Sequence, residues 1–321
     1  MLAGLLYQAI GAALDSRRFP PPGRLIDVGG RRLHIHSQGR GRPTVVLEAG
    51  IAASSVSWRL VQERIAEFTT VCSYDRAGLG YSDPAPTPRT IINILKDFEA
   101  LLAAAGLDGP VILVGHSFGG LVALEYACTG LTRVAGLVLV DPLSAAEWYP
   151  LQPQSKAILD RGIRLSRRGA WVARFGIVRL SLDLLRAGSR RIPKLAARIS
   201  SGGGSVLTER LVGEVRKLPK ELWPVIQSHW CQPKSFRAMA DHLESLPASA
   251  AACRSCELGN LPITVLSGAN SAADRLAEHQ AMANRSSRGK LIVAEKSGHW
   301  IQLDEPELVV AAVREMVEES R

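Results

Sequence analysis

The sequence predicts an α/β protein built on a mostly parallel sheet with helices on both faces. Three observations carry this. Short β-branched runs alternate with stretches of helical periodicity along most of the chain, the pattern left by repeated strand–helix–strand units. Several runs are continuously apolar, as strands covered on both faces must be. The length, 321 residues, suffices for one large α/β domain or two small ones.

Residues 25–28 and 33–37 flank Gly29-Gly30 and read as a hairpin, an antiparallel edge to the sheet. Residues 44–47, 70–74, 111–114, 137–140, 263–266 and 290–294 supply six further strands, for eight in all. Helical spacing of apolar residues falls at 56–68, 90–105, 119–128, 272–284 and 306–319. The alternation breaks after the sixth strand. Residues 143–246 are basic and helical in pattern, with Ser200–Ser205 as a Gly/Ser-rich joint between two of their helices, and are expected to form a cap over the carboxyl ends of the strands, where open α/β sheets bind ligands. The expected organisation is an N-terminal helix and Pro-rich linker (1–23), a body (24–142 with 247–321) and the inserted cap (143–246).

Composition is that of a globular protein, 46% hydrophobic and 21% charged. Net charge is +9, but residues 143–235 hold 17 Lys/Arg against 6 Asp/Glu. The basic residues are spaced among Leu, Ile, Val and Ala, as on solvated faces of amphipathic helices, and no nucleic-acid motif accompanies them. The first 14 residues carry no charge, are too short to span a bilayer and lack the basic start of a signal peptide. Two readings stay open: a short helix packed on the body, or a peripheral membrane contact made together with the basic cap. The expected location is cytoplasmic, with association to a membrane surface as the alternative. Five cysteines, an odd count in a long chain, argue against a disulfide framework. Cys253-x-x-Cys256 reads as two thiols in a loop, and no metal site is expected.

The chemistry centres on Gly115-His116-Ser117-Phe118-Gly119, which follows an apolar strand and precedes a helix. Small residues two before and two after the serine clear the neighbouring strand and helix, so that a tight turn can thrust the hydroxyl out over the sheet edge. A serine hydroxyl needs a base within reach. His299 lies after the last strand and before the final helix, where that base should be. The acid that orients it has two candidates. Asp141 ends the sixth strand, and Asp274 follows the seventh. Asp141 is preferred, with Asp274 as the alternative. A developing oxyanion needs backbone donors. The N–H of Phe118 is one, and that of Ile51, or alternatively Ala52, is the other. Trp58, His116, Trp148 and Trp300 lie near these positions in sequence and are candidates to line a substrate pocket, with core packing as the competing role.

Glu48-Ala49-Gly50, Tyr74-Asp75-Arg76-Ala77-Gly78-Leu79-Gly80-Tyr81-Ser82, Gly115–Gly119, Leu139-Val140-Asp141 and Gly298-His299 together resemble the α/β-hydrolase superfamily. Within it the chain is most similar to capped serine esterases and to the epoxide hydrolase and dehalogenase group, which use aspartate where this chain has Ser117. The resemblance implies an eight-stranded α/β-hydrolase fold, no cofactor, and a triad acid at Asp141, where some capped members carry it. The acid position usual in the late loop holds Ser271 here. The usual His-Gly of the oxyanion loop is Ala49-Gly50. Asp75 and Arg76 are expected to form a salt-bridged turn.

The expected function is hydrolysis of a carboxylic ester of a small lipophilic molecule through an acyl-enzyme. Amide or peptide cleavage and carbon–carbon bond hydrolysis use the same parts. A non-catalytic ligand receptor on the same fold is the reading from a different class.

Overall fold

The structure is a computed structural model, and it describes residues 2–129, 133–186, 217–253 and 255–321. The Gly/Ser-rich stretch 200–205 lies outside them. Eight strands form one sheet: β1 (Arg24–Asp27), β2 (Arg32–Gln38), β3 (Thr44–Glu48), β4 (Val71–Tyr74), β5 (Val111–His116), β6 (Val134–Val140), β7 (Ile263–Gly268) and β8 (Gly289–Ala294). Their spatial order is β1-β2-β4-β3-β5-β6-β7-β8. The pairs β1–β2 and β2–β4 are antiparallel, and every other pair is parallel. The hairpin at the edge follows from Gly29 and Gly30, whose φ values of 94° and 83° only glycine adopts without strain. The Asp27 carboxylate accepts from both of their N–H groups.

Helices α1 (Leu2–Arg18), α2 (Arg59–Ile65), α3 (Ile91–Ala104), α4 (Phe118–Cys128), α5 (Pro153–Arg174), α6 (Ile177–Arg186), α7 (Trp223–Trp230), α8 (Pro233–Ala252), α9 (Ala273–Ala283), α10 (Ile301–Asp304) and α11 (Pro306–Glu319) are described. The central strands feed two cores in strict alternation. Val46, Leu113, Leu137, Leu139 and Val265 point to the layer of α3, α4 and α9. Val45, Leu47, Val114, Val138, Val140 and Leu266 point to the layer of α2 and α11. This period of two is the strand signature itself. Trp58 belongs to the second core and is fully buried. It therefore has no surface to offer a substrate, and of its two expected roles core packing is the one observed.

Helices α5 to α8 lie between β6 and β7. The leucines and isoleucines of α5 and α8 (Leu159, Ile163, Leu243, Leu246) form a third apolar cluster with Phe118, Leu121 and Val122 of α4. The insertion is thus packed directly on the turn that carries Ser117. No described helix is long and apolar enough to cross a membrane.

The cysteine reading needs correction. Cys256 pairs not with its C-x-x-C neighbour but with Cys128 at the end of α4, with Cα atoms 5.8 Å apart. The Cys253 thiol instead donates to the carbonyl of Ser249. A partner 128 residues away leaves no local trace in sequence. Such bonds persist in oxidising compartments, which bears against the cytoplasmic expectation. Reduction should cost about 2–4 kcal/mol of stability by freeing a long loop in the unfolded chain. Urea midpoints that coincide with and without reductant would show that the pair is not made.

Candidate active site

Ser117 sits between β5 and α4 with φ 53° and ψ −119°. For a residue with a Cβ this region is strained, and the surroundings explain why it is held. The Ser117 N–H donates to the Val140 carbonyl, and the Ser117 carbonyl accepts from Gly120 and Leu143. A Cβ on Gly115 would strike the backbone of Gly119, and one on Gly119 would strike the carbonyls of Glu48 and Ala49. The glycine spacing is therefore a packing requirement between β3, β5 and α4. Phe118 begins α4, so its N–H belongs to the first turn, which has no partner within the helix.

Residues 50–53 form a turn closed by the Ala53 N–H donating to the Gly50 carbonyl at 3.2 Å. Ile51 and Ala52 are its central residues. A Cβ built on Gly50 would lie 3.1 Å from His116 Nδ1 and 3.7 Å from the Ser117 Cβ. The loop and the serine are therefore in near contact.

Asp141 follows β6 with a φ of 41° and is buried. His299 Nδ1 lies 2.6 Å from its Oδ2. The Gly268 N–H donates to Oδ1 at 3.2 Å and Arg275 donates to Oδ2 at 3.3 Å. Burial alone would raise this carboxyl, yet His299, Arg275 and the Gly268 N–H hold it down to about 2. Asp274, the alternative acid, is exposed in the first turn of α9, and the carboxylate on His299 is that of Asp141. The neighbour of Asp274, Arg275, is the residue that reaches inward. It bridges Asp141 to Glu147 at 3.0 Å, on the segment that leads into the inserted helices.

His116 is buried. Its Nε2 lies 2.8 Å from the His299 carbonyl oxygen, and its ring packs 4.6 Å from the His299 ring and 4.7 Å from that of Trp300. Trp300 is buried among Leu218, Ile226 and Leu303. Both rings support His299 more than they face open space. Trp148 and Ile51 are only partly buried and pack on the apolar cluster around Phe118.

Asp75 and Arg76 do not pair with each other, which corrects the expected salt-bridged turn. Asp75 accepts from Ser55 N–H at 2.7 Å and Tyr81 N–H at 3.0 Å and lies 2.9 Å from His34 Nδ1. Burial pushes this carboxyl up, but those partners prevail and hold it at about 2. Arg76 is buried and forked. It donates to Glu48, to the Ala49 carbonyl at 2.7 Å and to the Gly50 carbonyl. Tyr74 donates to the other Glu48 oxygen. Burial pushes the Glu48 carboxyl up to about 7 against the pull of Arg76. Nothing in the spacing announces this clamp on the loop beside Ser117.

Comparison with known proteins agrees with the architecture. The model of the alpha/beta hydrolase family matches residues 45–312. The uncharacterized protein YqjL of Bacillus subtilis is 36% identical over 107 residues, covering 33% of this chain and 42% of its own length. The lipase LipV of Mycobacterium tuberculosis is 37% identical over 116 residues, covering 36% of this chain and 43% of its own. The aligned region thus spans less than half the length of these relatives. A thermophilic esterase from Thermogutta terrifontis superposes with a TM-score of 0.60 at 24% identity, covering 90% of this chain and 94% of that one.

Proposed function

From the premise that this chain belongs to the alpha/beta hydrolase family, we propose that it is a serine carboxylesterase acting through an acyl-enzyme. The observation that carries the reading is the strained Ser117 turn, whose neighbour His116 packs its ring 4.6 Å from that of His299, with His299 in turn on the buried Asp141 carboxylate. Ser117 Oγ attacks the ester carbonyl as His299 Nε2 takes its proton. Asp141 holds the imidazole with Nδ1–H toward itself and stabilises the imidazolium. The N–H groups of Phe118 and of Ile51 or Ala52 receive the oxyanion. His299 returns the proton to the leaving alcohol, and water then releases the acid by the same steps. The described inserted helices α5 to α8 act as a cap, and the apolar cluster with Ile51 and Trp148 favours a lipophilic acyl or alcohol group. The lipase LipV and the Thermogutta esterase support ester chemistry. Rapid mixing with p-nitrophenyl esters from acetate to decanoate should give a burst of nitrophenolate equal to the enzyme, then steady turnover. No turnover of any ester would sink the reading and favour amide or carbon–carbon bond hydrolysis, or a receptor.

Arg76 serves this reading as a positioning residue. Its fork on the carbonyls of Ala49 and Gly50 sets the angle of the following N–H groups, in a loop that lacks the family's histidine. Arg76→Lys keeps the charge beside Glu48 but loses the fork. Its kcat should fall about tenfold to a hundredfold with KM little changed, since one misaimed oxyanion donor costs on that order. An equal rise in KM, or a melting temperature that falls in step with activity, would assign the residue a merely structural role.

A further inference from the structure

α1 is built the wrong way round for a surface helix in water. Such helices turn apolar residues inward and polar ones outward. Here Leu2, Leu6, Ile10 and Leu14 follow one another at a spacing of four and are 71%, 54%, 59% and 59% exposed. The inner face carries the polar contacts. Gln8 is buried, donating to the Cys231 carbonyl at 2.8 Å and accepting from Arg179 at 3.2 Å. Arg179 also pairs with Asp15 at 2.7 Å. Gly4 and Gly11 let the helix lie close against the Phe175 carbonyl and the Arg179 side chain. These contacts fix how α1 is rotated on α5, α6 and α7. The apolar stripe is held outward by this polar seam.

At the end of α5, next to α1, Phe175 presents its carbonyl to Gly4 and its ring packs 4.7 Å from that of Trp171, which is 61% exposed. Arg164, Arg168 and Arg174 are exposed on the same side of α5 as Trp171, three or seven residues from it. Arg17 and Arg18 are exposed at the end of α1. An apolar stripe with an aromatic anchor and a guanidinium rim is complementary to acyl chains beneath anionic headgroups. The same rim would repel a second copy of this chain. The described α1 of 17 residues is about 25 Å long, and its stripe runs along that length on the outer side, the orientation of a helix laid flat on a surface.

We infer that α1, with Trp171, docks this protein onto the surface of an anionic lipid bilayer. The inference stands on the exposed face alone and does not depend on the reaction at Ser117. Its test is co-sedimentation of the full chain with vesicles of phosphatidylcholine, pure or mixed with phosphatidylglycerol. The wild type should bind the mixed vesicles and leave the pure ones largely unbound. Leu6→Ser/Ile10→Ser should lower the bound fraction about tenfold, because two exposed apolar side chains no longer enter the acyl region. Arg17→Gln/Arg18→Gln should weaken binding to the mixed vesicles only. Both variants should hydrolyse soluble esters as the wild type does. Equal vesicle binding by the wild type and Leu6→Ser/Ile10→Ser would overturn the proposal. So would a wild-type dimer in sedimentation velocity that this variant dissolves, since the stripe would then be covered by a second copy.

Discussion

Replacing Ser117 with alanine should abolish labelling by a fluorophosphonate probe and lower ester turnover by about 10⁵-fold or more, the scale on which loss of a serine nucleophile is felt. The reason is specific to this turn. The backbone at φ 53° is held by the Val140, Gly120 and Leu143 hydrogen bonds, so the Cβ of alanine sits where that of serine did. The Phe118 N–H and the 50–53 turn stay in place. Only Oγ is removed, and the melting temperature should move little. Ser117→Gly separates strain from chemistry. It is equally dead, but glycine relaxes the left-handed backbone and should raise stability by about 1–2 kcal/mol. Residual labelling of Ser117→Ala at the wild-type rate would place the nucleophile elsewhere and remove the esterase reading with it.

The parts of this molecule legible in sequence are those in which one residue type answers one local demand. The strands were readable because burial on both faces demands unbroken apolar runs, as in 111–114 and 137–140. Gly29-Gly30 was readable because only glycine suits that turn. The Ser117 elbow was readable because Gly115 and Gly119 answer to steric contacts within a few residues. What stayed hidden depends on where side chains point or on distant partners. Asp75 and Arg76 are adjacent and opposite in charge, which in sequence suggests a pair, but consecutive side chains at a strand end project to opposite sides. Asp75 accordingly meets His34, and Arg76 meets Glu48. By its place after β7 Asp274 suits an acid in sequence, while its neighbour Arg275 is the residue turned toward Asp141. Trp58 lies near the 50–53 turn in sequence but under the sheet in space. The uncharged start of α1 was visible, but which of its faces is covered is a matter of packing.

Asp141→Asn should lower kcat about 10³–10⁴-fold near neutral pH while Asp274→Asn stays close to wild type, because the change reverses a proton at one atom. In the wild type Oδ2 of Asp141 accepts from His299 Nδ1 at 2.6 Å and from Arg275 at 3.3 Å, while Oδ1 accepts from Gly268 N–H at 3.2 Å. An asparagine that keeps its oxygen on Gly268 turns an amide N–H₂ toward His299. The imidazole must then accept at Nδ1 and carry its proton on Nε2, the nitrogen that should receive the serine proton, and the loss is of the size such a tautomer change produces. The pH dependence of stability offers a second readout. Asp141 is held at about 2, below its ordinary value of 3.8. Its contribution is therefore fully present above the unfolded carboxyl's range and is lost as pH falls through about 2. Asp141→Asn should flatten that acid limb in a series of urea midpoints. It should also leave Arg275 facing Glu147 alone. Full activity in Asp141→Asn together with a dead Asp274→Asn would move the acid to α9, and with it the hydrogen bond that orients His299.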